Sequence, residues 1–286
     1  MGFAQFYSDP QKFTCSVEVF PPKTPAGFTA LMQELEMIKT VQPAFISVTY
    51  GAMGSTRNLT EDLALQIFEQ IKVPTAFHFT CIGSGRKEIA DYVRHLAEKG
   101  LDLVVALRGD LPLGQSEFQV AEDGFAHANE LVGYLKTLRP LSIAVAGYPE
   151  KHKEALSLQS DLENLKRKVD AGADVVLTQL FFNNNDFYRF VEAARALKIF
   201  VPIIPGIMPV QNLKQLQKVT QMCGATVPEE LQTRLDRYAE NPEAQAEIGI
   251  EYAHQQCADL KKQGVAGVHF YSLNKAQPVV QIMQAL

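Results

Sequence analysis

Short apolar runs alternate with longer segments of helical periodicity along the chain. The apolar runs have the length and composition of strands, and they predict eight strands near 13–20, 44–50, 75–81, 102–108, 142–148, 174–180, 200–205 and 266–272. Helical patterns are predicted near 27–40, 60–72, 86–99, 123–138, 157–171, 185–197, 211–221, 228–263 and 277–285. Strands that alternate with helices of this length pair in parallel through crossovers. We therefore predict an α/β fold, a (β/α)8 TIM barrel, as a single domain over residues 1–286.

Polar and apolar residues alternate within the predicted strands. In the first strand Val17 and Val19 lie on one face, and Ser16 and Glu18 lie on the other. Parallel strands that are covered on both faces are usually apolar throughout. The small and polar face therefore predicts a barrel interior with a function at its mouth, where the carboxyl ends of the strands meet.

The composition argues against several classes of protein to which the chain could belong. The net charge is −5 and Lys and Arg form no basic stripe, which argues against a nucleic-acid surface. No apolar run approaches the roughly 18 residues of a membrane span, and the N-terminus lacks the pattern of a signal peptide. The four cysteines form no CxxC pair, which is typical of free thiols in a reducing compartment. We expect a soluble cytoplasmic protein.

Two strand ends present unusual polar residues. Glu18 lies in SVEVFPPKT, at a position that is expected to be buried. Its carboxylate either forms a structural salt bridge to a neighbouring strand or acts as a general acid whose pKa is raised by burial. The run LVVALRGDLP ends in Arg108, Gly109 and Asp110. Arg108 and Asp110 either form an ion pair with each other or contact a polar ligand, which the glycine would allow to approach the backbone closely. On the third strand, His78 is either a satisfied core histidine or a ligand contact.

Two further sets of polar residues have a structural and a functional interpretation. Asp161, Asn164 and Lys168 share one stripe of the helix at 157–171, which is either a solvated face or a binding face. Gln179 ends the sixth strand, where its amide bonds to a loop or to a heterocycle.

Several common motifs are absent from the sequence. There is no GxGxxG or GxxxxGK[ST] nucleotide motif, no HExxH metal motif and no GxSxG elbow. His254 and Cys257 share a helix face, but two potential ligands are too few for a zinc site. We expect no metal centre, no Rossmann or P-loop site and no serine-hydrolase chemistry.

Nine motifs, in order and over nearly the whole chain, resemble 5,10-methylenetetrahydrofolate reductases: SVEVFPPKT, ISVTYGA, HFTC, VALRGDLP, AGYPEKH, DLENLKRKVDAGAD, TQLFF, IIPGIMPV and FYSLNK. The resemblance is to the short bacterial form with the catalytic barrel only. It implies a barrel that binds FAD non-covalently at the carboxyl ends of its strands. The implied FAD contacts are Thr49, Tyr50, Ala52, His78, Arg108, Gly109, Asp110, Ala128, Tyr148, His152, Asp161, Asn164, Arg167 and Lys168.

The resemblance also implies a ping-pong reaction in which NADH, or NADPH, reduces the flavin and methylenetetrahydrofolate then takes its place. Glu18 would protonate the imidazolidine ring, flavin N5 would deliver hydride to the resulting iminium, and Asp110 would tune the flavin. The product, 5-methyltetrahydrofolate, would supply methyl groups for methionine. The implied substrate contacts are Glu18, Thr49, Asp110, Gln179, Gln215 and Lys275.

Three positions depart from the family pattern. Lys275 lies where arginine is common, Val219 where an aromatic residue is common, and His127 where tyrosine is frequent. A flavin-independent folate-binding barrel of the methyltransferase type is an alternative, as is a non-catalytic scaffold. By analogy with the family we expect a homo-oligomer.

Overall fold

A computed structural model describes residues 2–50, 57–109 and 120–286. Eight parallel strands pair in sequence order and close into a barrel through β1 and β8. The strands are β1 Thr14–Val19, β2 Ile46–Val48, β3 Thr75–Thr80, β4 Leu103–Leu107, β5 Ser142–Gly147, β6 Val175–Leu180, β7 Ile203–Ile207 and β8 Gly267–Tyr271. The predicted (β/α)8 barrel is confirmed.

Helices surround this barrel. They are α1 Phe3–Phe6, α2 Pro25–Lys39, α3 Arg57–Gln66, α4 Arg86–Glu98, α5 Ala128–Leu138, α6 Leu158–Asp170, α7 Asn184–Ala196, α8 Leu213–Cys223, α9 Glu229–Asp236, α10 Pro242–Lys262 and α11 Ala276–Ala285, with a π-helical segment at Ile67–Ile71. The predicted helix at 228–263 is two helices, because Asn241 caps α10 by accepting a hydrogen bond from the Ala244 amide. The sequence did not predict α1, and α5 begins at Ala128 rather than near 123.

The alternation within the strands gives them an apolar outer face and an inner face that carries polar residues. Val17 and Val19 belong to the core between the barrel and its helices, where they share a cluster with Leu35 of α2. Ser16 and Glu18 lie on the opposite, inner face, as predicted. One face of each strand therefore packs against the helices, and the other faces the barrel interior, where polar side chains can contact a ligand.

The amino-terminal end of the barrel is closed by aromatic rings. Phe3 of α1 packs edge-on against Phe45 at 5.0 Å, and Phe6 lies 5.5 Å from the same ring. Phe45 in turn stacks on His269 of β8 at 5.7 Å. Among the described residues, this end of the barrel is filled and the carboxyl ends of the strands are open to a ligand.

No helix within the described ranges has the length and apolarity needed to cross a membrane. The four cysteines are free thiols, as predicted.

Candidate active site

A cavity of about 740 Å³ opens at the carboxyl ends of the strands. Most of the residues predicted for the site line it: Glu18, Thr49, Tyr50, His78, Arg108, Gly109, Ala128, Tyr148, His152, Asp161, Asn164, Arg167, Lys168 and Gln179. Ala52 and Asp110 lie outside the described residues. The strand ends thus bring together residues that are far apart in the sequence.

Glu18 lies at what we call the acid end of the cavity, formed by Glu18, His78 and His269. Its Oε2 is 3.3 Å from Nε2 of His78 and 3.7 Å from Nε2 of His269. On its other side, His269 has Nδ1 2.8 Å from Oγ of Ser16, while Oγ of Ser47 is 3.3 Å from Nε2. The carboxylate therefore pairs with imidazoles, as the structural interpretation predicted, and its general-acid role stays a prediction although it faces the cavity.

The predicted rise in the pKa of Glu18 is wrong. Burial acts to raise the pKa of Glu18, but the charges of His78 and His269 and their hydrogen bonds outweigh it and lower the pKa to about 2. The geometry between Glu18 and His78 is that of an ion pair at 3.3 Å, not of a well-aligned hydrogen bond, since Nε2 of His78 lacks an aligned partner among the described residues. We therefore attribute the low pKa mainly to charge.

Sequence reasoning missed the two inward residues of β8. His269 is fully buried, and Tyr271 packs edge-on against its ring at 5.6 Å and donates a hydrogen bond to the carbonyl of Thr178 at 2.6 Å. Both line the cavity, while their neighbours Val268 and Phe270 belong to the outer core. The alternation that identified Glu18 on β1 is present in GVHFY and could have identified them.

The opposite end of the cavity, which we call the cationic end, is formed by Asp161, Asn164, Arg167 and Lys168 of α6. Asp161 is buried and accepts a hydrogen bond from the His152 amide at 2.9 Å. Lys168 donates to the carbonyl of Ala146 at 2.5 Å, and burial lowers its pKa to about 8 despite the opposing charge of Asp161. All three residues of the stripe that could have been a solvated face thus line the cavity.

Arg108 and Gly109 lie between the two ends. Arg108 forms a bidentate ion pair with Glu154, at 2.7 and 2.8 Å, and the sequence had not indicated Glu154. Gly109 has φ +101°, and a Cβ there would lie 3.1 Å from Cβ of Thr80. Because a side chain would be both strained and crowded, glycine keeps the backbone close to the cavity wall.

Gln179 lies where the pairing of β6 with β7 shifts register, between Leu177 and Leu180. Its Oε1 accepts a hydrogen bond from the Leu180 amide at 2.9 Å and its side chain lines the cavity. Val219 and His127, two of the three departures from the family pattern, also line the cavity.

The structure does not bring Gln215 and Lys275 to this cavity. Oε1 of Gln215 accepts a hydrogen bond from the Gln211 amide at 3.0 Å, and Nζ of Lys275 is 3.8 Å from Oε1 of Glu34. Each side chain is thus engaged outside the cavity wall, at the start of α8 and of α11.

The cavity has features that fit a dinucleotide such as FAD. Among the described residues, Oγ1 of Thr80 is buried in the wall without a hydrogen-bond partner and Nε2 of His78 has a misaligned contact with Glu18, so a polar ring could bond to both. Lys168 supplies a partly buried cation at the other end, where a phosphate could bind. In the described part of the chain, no cluster of His, Cys, Asp or Glu could hold a metal ion.

Fold and site together define a (β/α)8-barrel protein with a polar ligand cavity at the carboxyl ends of its strands. More specifically, the chain belongs to the methylenetetrahydrofolate reductase family, whose model matches residues 4–286.

Named relatives agree with this assignment. A 5,10-methylenetetrahydrofolate reductase of Salmonella typhimurium is 37% identical over 95% of this chain and 90% of its own length. Methylenetetrahydrofolate reductase (NADH) 1 of Arabidopsis thaliana is 37% identical over 95% of this chain, which spans only 48% of the plant protein. The chain therefore spans about half of the plant relatives and nearly all of the bacterial ones.

A solved structure supports the fold. A Clostridium thermocellum protein described as binding two copies of 5-methyl-5,6,7,8-tetrahydrofolic acid superposes with a TM-score of 0.64 at 14% identity, over 98% of this chain and 97% of that one. At this identity the likeness concerns the fold alone.

Proposed function

We propose that this chain is a flavoprotein oxidoreductase that reduces 5,10-methylenetetrahydrofolate to 5-methyltetrahydrofolate with electrons from NADH, or alternatively NADPH. The observation that carries the proposal is a partly buried carboxylate, Glu18, facing the same cavity as a partly buried cation, Lys168. An acid and an anion-binding end in one cavity suit a reaction that needs both a proton and a dinucleotide. Family membership and the name of the Arabidopsis relative support the reaction and the donor.

Non-covalent FAD is the proposed cofactor. Lys168, with Arg167 and Asn164, would hold its diphosphate and adenosine portion, and His78 and Thr80 would face its polar ring. When bound, FAD supplies a two-electron carrier between the nicotinamide and the folate. One cavity shared by both substrates favours a ping-pong order, with the two substrates occupying the same place in turn.

Glu18 is the proposed proton donor to the imidazolidine ring of the folate. Protonation of the ring nitrogen breaks its bond to the bridging carbon and leaves that carbon as an iminium, ready for reduction. Because the pKa of Glu18 is about 2, the proposed role requires that folate binding raise this pKa, so that the carboxyl takes up a proton before the ring opens. This requirement replaces the expectation of a permanently protonated acid.

The remaining roles are proposals of the same kind. Gln179 would bind the pterin through its amide, and Thr49 would contact both substrates from the end of β2. Asp110, outside the described residues, would tune the flavin. Gln215 and Lys275 could serve the folate only if their side chains moved. We also propose a cytoplasmic homo-oligomer that provides methyl groups for methionine synthesis.

Separate half-reactions test the function. Under anaerobic conditions, stopped-flow absorbance at the flavin band would follow reduction by NADH or NADPH and then reoxidation by methylenetetrahydrofolate. We expect Glu18→Gln to be reduced by NADH at the normal rate and to reduce folate about a thousandfold more slowly, which is the usual size of a general-acid contribution.

Glu163→Gln is the matched control, because Glu163 is an exposed carboxylate of α6 and should behave as the wild type. Folate reduction at the wild-type rate by Glu18→Gln would remove the acid role. A wild-type protein without flavin absorbance, even after incubation with FAD, would favour the flavin-independent folate-binding barrel instead.

A further inference from the structure

A buried chain of polar groups continues from the acid end towards the bottom of the barrel. His269 contacts Glu18 through Nε2 and Ser16 through Nδ1, and Oγ of Ser16 is 3.2 Å from the hydroxyl of Tyr7. Ser16 and His269 are 0% exposed and Tyr7 is 7% exposed. The cavity acid is therefore connected to the residue that directly follows α1.

The direction of these hydrogen bonds follows from the groups available. Ser16 is the partner found for the Tyr7 hydroxyl in the described part of the chain, so Tyr7 donates to Ser16 or leaves its buried proton unsatisfied. An unsatisfied buried donor is costly, so Tyr7 donates. Burial raises the pKa of Tyr7 well above its ordinary value, so the hydroxyl keeps this proton and ends the chain.

Ser16 then has its own proton to give. Its two possible acceptors are Nδ1 of His269 at 2.8 Å and the carbonyl of Val268 at 3.4 Å, and the shorter contact is the stronger one. A hydroxyl that accepts one hydrogen bond is polarised into a better donor. Tyr7 thereby favours a Ser16 that donates to Nδ1, and a ring whose Nδ1 accepts carries its proton on Nε2.

We propose that Tyr7 is a positioning residue that holds His269 in the tautomer with its proton on Nε2, the nitrogen that lies 3.3 Å from Oγ of Ser47 and 3.7 Å from Oε2 of Glu18. The N–H then lies near the carboxylate that remains after Glu18 has given up its proton. In the other tautomer the lone pair of Nε2 would lie near that carboxylate and repel it. The benefit to catalysis rests on the proposed proton-donor role of Glu18, whereas the tautomer itself does not.

The N-terminal segment holds Tyr7 in place. Thr14 of β1 donates to the carbonyl of Phe6 at 2.9 Å, and the amide of Phe3 donates to Oγ of Ser142 on β5 at 2.8 Å. These bonds fix both ends of α1 against the barrel, and the ring of Tyr7 belongs to the inner apolar cluster. Phenylalanine would keep this packing and remove only the hydroxyl.

The test uses Tyr7→Phe, with Tyr134→Phe as the matched control because the Tyr134 hydroxyl bonds to the Arg86 carbonyl instead. Histidine-selective 15N labelling and long-range 1H–15N correlation spectra of the ligand-free protein would report the tautomer. His269→Gln assigns its signals among the six histidines. We expect the wild type and Tyr134→Phe to show the Nε2–H tautomer, and Tyr7→Phe to show the Nδ1–H form as well.

Kinetics and a double-mutant cycle complete the test. We expect Tyr7→Phe to slow the folate half-reaction about three- to tenfold, the usual weight of one hydrogen bond, and to leave reduction by NADH unchanged. In a Ser16→Ala background Tyr7→Phe should have no further effect, since Tyr7 acts through Ser16.

An unchanged His269 tautomer in Tyr7→Phe, or effects of the two substitutions that simply multiply, would overturn the proposal. Because the spectra need neither flavin nor folate, a wild-type chain that fails to reduce folate would refute the proposed function and leave the tautomer test intact.

Discussion

The acid end and the cationic end of the cavity respond to burial in opposite ways. Burial acts against the charged form of both Glu18 and Lys168. At Glu18, two histidines overcome this penalty and keep the carboxylate ionised, with a pKa of about 2. At Lys168, Asp161 opposes the penalty but does not overcome it, and the pKa is lowered to about 8.

The difference lies in the partners of each group. Glu18 has two imidazoles within 4 Å, whereas the contacts of Lys168 include a neutral carbonyl, that of Ala146. Asp161 also accepts a hydrogen bond from the His152 amide, which divides its charge between two neighbours. The charge of Glu18 is therefore stabilised by protein groups. The charge of Lys168 would be stabilised further by an anionic ligand.

The largest expected effect concerns stability at low pH. Because the pKa of Glu18 is below its ordinary 4.5 in the folded state, its stabilisation is complete above pH 4.5 and is lost as pH falls towards 2. The full shift corresponds to about 3 kcal/mol in the free energy of unfolding. Urea unfolding at pH 5 and pH 3 should show the wild type losing about 2 kcal/mol more than Glu18→Gln.

Glu163→Gln, at an exposed position, should lose as much as the wild type between the two pH values. Parallel losses in the wild type and in Glu18→Gln would mean that the histidines do not hold Glu18 ionised. The contrast between the two ends would then disappear.

Lys168→Met should weaken FAD binding about twentyfold, because it removes a charged donor to a phosphate. Quenching of flavin fluorescence during titration of the apoprotein measures the dissociation constant. Lys166→Met is the control, since Lys166 lies on the same helix and pairs with Asp170 away from the cavity. An equal loss in both variants would assign the effect to the general charge of α6 rather than to the cationic end.

The same lysine predicts a pH dependence. With a pKa of about 8, Lys168 is charged at pH 7 and mostly neutral at pH 9, so the affinity for FAD should be about tenfold lower at pH 9. Lys168→Met should bind with the same affinity at both pH values. A wild-type affinity that stays constant over this range would show that Lys168 keeps its charge or does not contact the cofactor.

Most of the fold was predictable because its strands carry two signals at once, apolar length and inside-outside alternation. The start of β7 was misplaced by about three residues, since the apolar run IFVPIIP begins before the paired strand, Ile203–Ile207. The helix α1 was not predicted, because four residues are too few to show a helical period. Its role depends on tertiary packing against Phe45.

The sequence predicted which strand ends carry the residues of the site, but it did not predict which of their side chains contact one another. Alternation placed Glu18 inside the barrel, yet its pKa depends on His269, which lies more than two hundred residues away in the sequence. The pairing of Arg108 with Glu154 likewise joins two loops through space. Such contacts follow from barrel closure and carry no local signal.

The smallest expected effect concerns this Arg108–Glu154 pair, which lies between the two ends. Glu154 is half exposed, so the pair contributes on the order of 1 kcal/mol or less. Glu154→Gln should remove a negative charge beside Arg108 that competes with an anionic ligand, and it should strengthen FAD binding about two- to fourfold. Titrations at low and high salt would measure the gain, which should shrink as salt screens the charge.

Glu150→Gln is the matched control for this prediction, because Glu150 precedes the same loop but bonds to the Thr226 amide. Weaker binding in Glu154→Gln would mean that Glu154 orients Arg108 for the ligand and does not compete with it. Arg108 would then resemble Glu18, whose charge is stabilised by neighbouring protein groups. It would differ from Lys168, whose charge would be stabilised by the anionic ligand itself.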